Sequence, residues 1–109
     1  MKYKVVKMDN RYSTYGYRYL ITFNRVTDYG TGVLDFDHSR RWFNEQFGWS
    51  QDVDTREKMI RNRRVYPEAY TPNDINPVWA YSVRFGDCRI YVDEEKTLSW
   101  FLLCNPVSQ

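Results

Sequence analysis

A chain of 109 residues has room for one core and no second unit of ordinary size, so residues 1–109 are expected to form a single domain. Aromatic residues make up 18% of it and charged residues 28%, too many bulky apolar groups for an intrinsically disordered segment. The net charge of +2 permits contact with phosphates but lacks the basic excess of a protein that coats DNA.

Met1-Lys2-Tyr3-Lys4-Val5-Val6-Lys7 is too polar for the apolar core of a signal peptide, and no stretch approaches a membrane span. The expectation is a soluble, cytoplasmic protein with no membrane partner. Cys88 and Cys104 have neither the spacing of a zinc site nor the density of a secreted disulfide scaffold. Both read as reduced, partly buried small hydrophobes.

Lys2 to Met8 reads as a short strand, and Asp9-Asn10 as the turn of a hairpin. The return strand, from Tyr15 to Asn24, is the clearest in the chain. Tyr15, Tyr17, Tyr19, Ile21 and Phe23 share one face, expected to pack inward, while Arg18, Thr22 and Asn24 share a face expected to meet water. The loop Thr27-Asp28-Tyr29-Gly30-Thr31-Gly32 then breaks the sheet. A helix is expected from Ser39 to Phe47, capped by Asp37 or Ser39 and ended by Gly48, with Trp42, Phe43, Gln46 and Phe47 on its apolar side.

Residues 49–77 read as an irregular polar loop segment punctuated by Pro67, Pro72 and Pro77, with a capping box at Asp54-Thr55-Arg56-Glu57 that favours a short helix over Thr55 to Arg64. Pattern returns at Val78. Trp79, Tyr81, Val83 and Phe85 alternate with Ala80, Ser82 and Arg84; Gly86-Asp87 marks a turn, and Cys88, Ile90 and Val92 line one face of the return strand. The segment from Asp93 to Cys104 satisfies both strand and helix periods. Its ends favour helix, with Asp93 as N-cap, Glu94 and Glu95 suited to the helix dipole and Asn105-Pro106 as the stop. The expected class is α+β, a small antiparallel sheet of two hairpins with helices packed on one face, in the order β-β-α-(short α)-β-β-α.

The aromatic helix closing on Phe47-Gly48, then Trp79-Ala80-Tyr81, then Arg89-Ile90-Tyr91-Val92-Asp93-Glu94-Glu95 leading into Trp100-Phe101-Leu102-Leu103 together resemble small proteins of tailed phages, marine and cyanobacterial ones among them. Those proteins end in a strand, an acidic turn and an aromatic-leucine helix. The resemblance spans the helix and the last third of the chain and implies a small accessory protein, carrying no functional residues across. The chain departs from that pattern at Cys104-Asn105, where a basic-aromatic pair often stands.

Candidate chemistry is sparse. Exposed tyrosines on a sheet can stack the bases of single-stranded nucleic acid, and Tyr12 and Tyr15, near the hairpin end with Arg18, are the rings expected to stay exposed. Continuity with Ile21 and Phe23 makes most of that face core. Arg56, Lys58, Arg61, Arg63 and Arg64, opposed locally by Glu57, can neutralise phosphates but form no single helical stripe, so a solvated surface explains them as well. Asp35-Phe36-Asp37-His38 is the only place where carboxylates meet the sole histidine. It lacks the further ligands of a metal site, and Asp37 as a cap with His38 on the surface accounts for it better. Gly30-Thr31-Gly32 has no following lysine and reads as a turn rather than a phosphate loop.

No nucleophile–base or acid–base pair assembles, so neither catalysis nor a cofactor is expected. The leading expectation is a noncatalytic protein-interaction module, its partner another protein or a second copy, with Trp49, Trp100 or Tyr91 in the contact. The alternative is a weak nucleic-acid binder using the 56–64 basic segment and exposed tyrosines.

Overall fold

Alternating apolar residues do pair into the expected sheet. The computed structural model describes residues 2–8, 17–23, 31–50, 76–83 and 88–107. They form β1 (Tyr3–Lys7), β2 (Tyr19–Phe23), α1 (Thr31–Phe47), β3 (Trp79–Ser82), β4 (Cys88–Val92) and α2 (Glu95–Cys104). The class is α+β. Both expected strand pairs are antiparallel neighbours, and β2 joins β4 to give one sheet in the order β1-β2-β4-β3.

Register sorts the side chains into rows. On one face, Tyr3, Phe23 and Cys88 align; next to them run Val5, Ile21, Ile90 and Tyr81, and then Lys7, Tyr19, Val92 and Trp79. Both helices cover this face, since Phe36 and Phe43 of α1 and Leu98 and Phe101 of α2 join Tyr3, Ile21, Phe23, Ile90 and Val92 in one buried cluster. Its rings make a closed circuit. Phe43 stacks on Phe101 at 5.2 Å, Phe101 meets Tyr3, Tyr3 meets Phe23, Phe23 meets Phe36, Phe36 meets Tyr81, Tyr81 meets Trp79, and Trp79 returns to Phe43 at 5.4 Å. Each such pair adds about 0.5–1.5 kcal/mol beyond the area it buries.

The expected long tyrosine face is shorter than its alternation suggests. Ile21 and Phe23 are buried and Tyr19 packs against them, but Tyr17 belongs to a second cluster with Ala80, Met8 and Tyr91. Ala80 and Tyr91 are register partners on the other side of the sheet. The alternation therefore breaks at Tyr17-Arg18. The Tyr17 hydroxyl donates to the Asn76 carbonyl at 2.6 Å, an anchor that holds its ring behind the sheet. That face is not simply wet either: Ala80 and Ser82 are buried and Leu20 is half-buried.

Helix α1 begins eight residues before Ser39, so neither Asp37 nor Ser39 caps it, and Thr31 and Gly32 are helical rather than loop. Phe36, Ser39 and Phe43 are buried and Phe47 is half-buried, a stripe at helical spacing that runs back past the polar residues which suggested a start. Gln46, expected on the apolar side, is exposed. The helix does end at Gly48, whose φ of +88° places it in the left-handed region.

Helix α2 forms where its end signals place it. Glu94 rather than Asp93 is its N-cap; the Asp93 carboxylate accepts from the Glu94 amide at 2.7 Å, one position too early to serve the helix. At the other end the Asn105 amide donates to the Phe101 carbonyl at 2.8 Å. Cys88 is buried, whereas Cys104 is exposed rather than partly buried. The expected turns at Asp9-Asn10 and Gly86-Asp87 and the short helix over Thr55 to Arg64 lie outside the described residues.

Candidate functional site

Of the residues singled out for nucleic-acid contact, Arg18 alone is described. Its side chain is exposed, and its backbone joins the sheet through bonds from its amide to the Val92 carbonyl and from the Met8 amide to its own carbonyl. Tyr12, Tyr15, Arg56, Lys58, Arg61, Arg63 and Arg64 lie outside the described residues. The acidic group near His38 is split by the helix. The Asp35 carboxylate accepts from the Lys2 backbone amide at 3.1 Å, Phe36 is buried in the core and His38 is exposed. Among the described residues no three His, Cys, Asp or Glu side chains gather as a metal site needs.

Two surface features stand out instead. The first is a ridge on α2. Thr97, Leu98 and Phe101 turn inward, which leaves Trp100 53% and Leu103 84% exposed one turn apart. Val107 continues the apolar surface beyond the helix and is also exposed. A tryptophan and a leucine held outward by a buried opposite face cannot both be excused as core. From Ser99 to Val107 no residue is charged.

The second is a pocket of about 190 Å³. Helix α1 contributes Arg40, Arg41 and Asn44, strand β3 contributes Trp79 and Tyr81, and the segment after the helix contributes Trp49 and Ser50. Among the described strands β3 lies at the sheet edge, and the 48–50 segment runs beside it. The Trp79 indole donates to the Gly48 carbonyl at 2.9 Å, and the Ser50 hydroxyl donates to the Trp79 carbonyl at 2.6 Å. Asn76 secures the same segment, its amide reaching the carbonyls of Phe47, Gly48 and Trp49 at 3.0, 3.3 and 3.1 Å. Arg40 sits over the Tyr81 ring, 4.7 Å from its centre, and 5.9 Å from that of Phe36. Trp49 is 65% exposed.

No protein-family model, curated protein or solved structure matches the chain.

Trp49 and Trp100, expected as contact residues, are both exposed. Tyr91, named with them, is half-buried against Tyr17, its ring centre 6.2 Å away. The pocket has no local signature in the sequence beyond the Arg40-Arg41 pair shortly before Gly48-Trp49, and nothing local shows that β3 completes it.

Proposed function

We propose that the chain is a small, noncatalytic, cytoplasmic protein-interaction module that docks a second copy of itself through the α2 ridge. The observation that carries this reading is the exposure of Trp100 and Leu103 on the face of α2 opposite the buried Leu98 and Phe101. Large apolar side chains grouped on a surface mark contact sites. A tryptophan at the centre of a docked surface is the residue type that most often dominates binding energy.

The occupant follows from charge. In a two-fold contact each residue near the axis meets its own copy, so a charged patch repels itself. The run from Ser99 to Val107 carries no charge and is self-compatible. The resemblance to small tailed-phage proteins supports an accessory role of this kind. Among the described residues no helix is long and apolar enough to cross a membrane, which supports docking in solution over insertion.

Sedimentation of the wild-type protein over a range of concentrations tests the reading. Dimers are expected, persisting at high salt because apolar contact is not screened. Trp100→Ser with Leu103→Asp is expected to give monomers of unchanged circular dichroism. A wild-type protein monomeric at every concentration, or a dimer indifferent to both substitutions, would overturn it. Binding of labelled oligonucleotides that weakens steeply with salt would point to the nucleic-acid alternative.

A further inference from the structure

The pocket between α1 and β3 is independent of that reading, because it uses none of the α2 ridge. We propose that it binds a nucleoside monophosphate, the phosphate held by Arg40 and Arg41 and the base resting on Trp49.

Charge comes first. Among the described residues, two guanidinium groups line the pocket and no carboxylate does. A phosphate monoester carries about −1.5 to −2 at pH 7, which two arginines match and a single carboxylate ligand does not. Asp37 and Glu45 stand one turn to either side of Arg41 on the helix, yet among the described residues neither forms an ion pair with it.

Preorganisation comes second. Arg40 lies over the Tyr81 ring, whose face offsets the positive charge without using an N–H group. The guanidinium is thus positioned while its donors remain for an anion. The floor beneath it is fixed as well, since Trp79 is buried and hydrogen-bonded at both its indole and its carbonyl.

The ring half of the ligand follows from Trp49. The residue is 65% exposed, although its backbone is tied down by Asn76. A large flat side chain held in water on a fixed backbone offers a stacking platform, and a base stacks on indole whatever its identity. Asn44 adds an amide that can donate and accept at a base edge. Size sets the limit. A volume of about 190 Å³ is below the roughly 300 Å³ at which pockets begin to engulf drug-sized ligands. It suits one phosphate and the edge of a ring, with the sugar left in solvent.

Isothermal titration calorimetry of the full chain with adenosine monophosphate tests the proposal. Saturable binding is expected, about tenfold weaker for adenosine and for inorganic phosphate, since each keeps half of the contacts. Arg41→Gln and Trp49→Ala are each expected to weaken it about tenfold with circular dichroism unchanged, because both side chains are exposed. Competition by a 5′-phosphorylated single strand, but not by its unphosphorylated form, would support the site and name a strand end as the source. Failure of both strands to compete would support it with the free nucleotide as the source. No heat with adenosine monophosphate, equal affinity for inorganic phosphate, preference for phosphotyrosine, or full affinity in both variants would each overturn it.

Discussion

Tyr3 ties the first strand to the end of the last helix. Its ring lies between Phe23 and Phe101 in the core, and its hydroxyl donates to the buried Asn105 carbonyl. Asn105 is itself turned back, both its amide N–H and its side-chain amide reaching the Phe101 carbonyl. Removing the Tyr3 hydroxyl leaves a buried carbonyl unpaired, so Tyr3→Phe is expected to cost about 1–2 kcal/mol in urea unfolding. The pH dependence has a definite sign. Burial pushes the Tyr3 hydroxyl above its ordinary value of 10.0, so in alkali the unfolded chain releases that proton first. Its contribution to stability is complete below pH 10 and falls as pH rises through the folded value. The stability of Tyr3→Phe should therefore decline less steeply in alkali than that of the wild type. Strand alternation in the sequence marks Tyr3 as a strand residue. Its bond across the molecule has no local trace.

Between elements, the turn after α1 depends on two residues far apart in sequence. Gly48 adopts φ +88°, and a Cβ added there would meet nothing nearer than the Asn76 side-chain nitrogen at 4.0 Å. The cost of Gly48→Ala is thus one of backbone strain, expected at about 1–2 kcal/mol by denaturant titration, with Gly48→Asn recovering part of it. Asn76 serves the same turn from the other side. Its amide binds three successive carbonyls, and its carbonyl oxygen accepts from the Val78 amide at 2.9 Å. Asn76→Ala is expected to cost about 2–3 kcal/mol and to loosen Trp49, seen as a shift in tryptophan emission. The glycine stop was legible because a left-handed position favours glycine wherever it occurs. The start of α1 was not. Local capping chemistry favours Asp37, but burying Phe36 against Phe23 and Tyr81 draws the helix back to Thr31.

At the scale of the whole molecule, the aromatic circuit links α1, α2 and the sheet through shared rings. Phe43 is fully buried and contacts Trp42, Phe47, Trp79 and Phe101. Phe43→Ala is expected to cost about 3–5 kcal/mol, a large share of the roughly 5–15 kcal/mol that holds a domain together. Calorimetry should show one transition at a much lower temperature, because rings on α1, α2 and the sheet lose a shared neighbour at once.

Two periodicities are legible in the sequence: the period of two in Tyr19, Ile21, Phe23 and in Cys88, Ile90, Val92, and the helical spacing of Leu98, Phe101 and Leu102. Each is a local property, since the backbone of a strand or helix dictates which neighbours share a face. The α+β class follows from them, whereas the pairing of Trp100 with an exposed Leu103 came only with the packed helix. Only the tertiary structure decided that β2 lies beside β4, that Tyr17 turns behind the sheet, and that Arg40, Trp49 and Tyr81 meet at one pocket. Those contacts join residues tens of positions apart, and their energies arise only once the sheet and helices have packed. No window of sequence contains them.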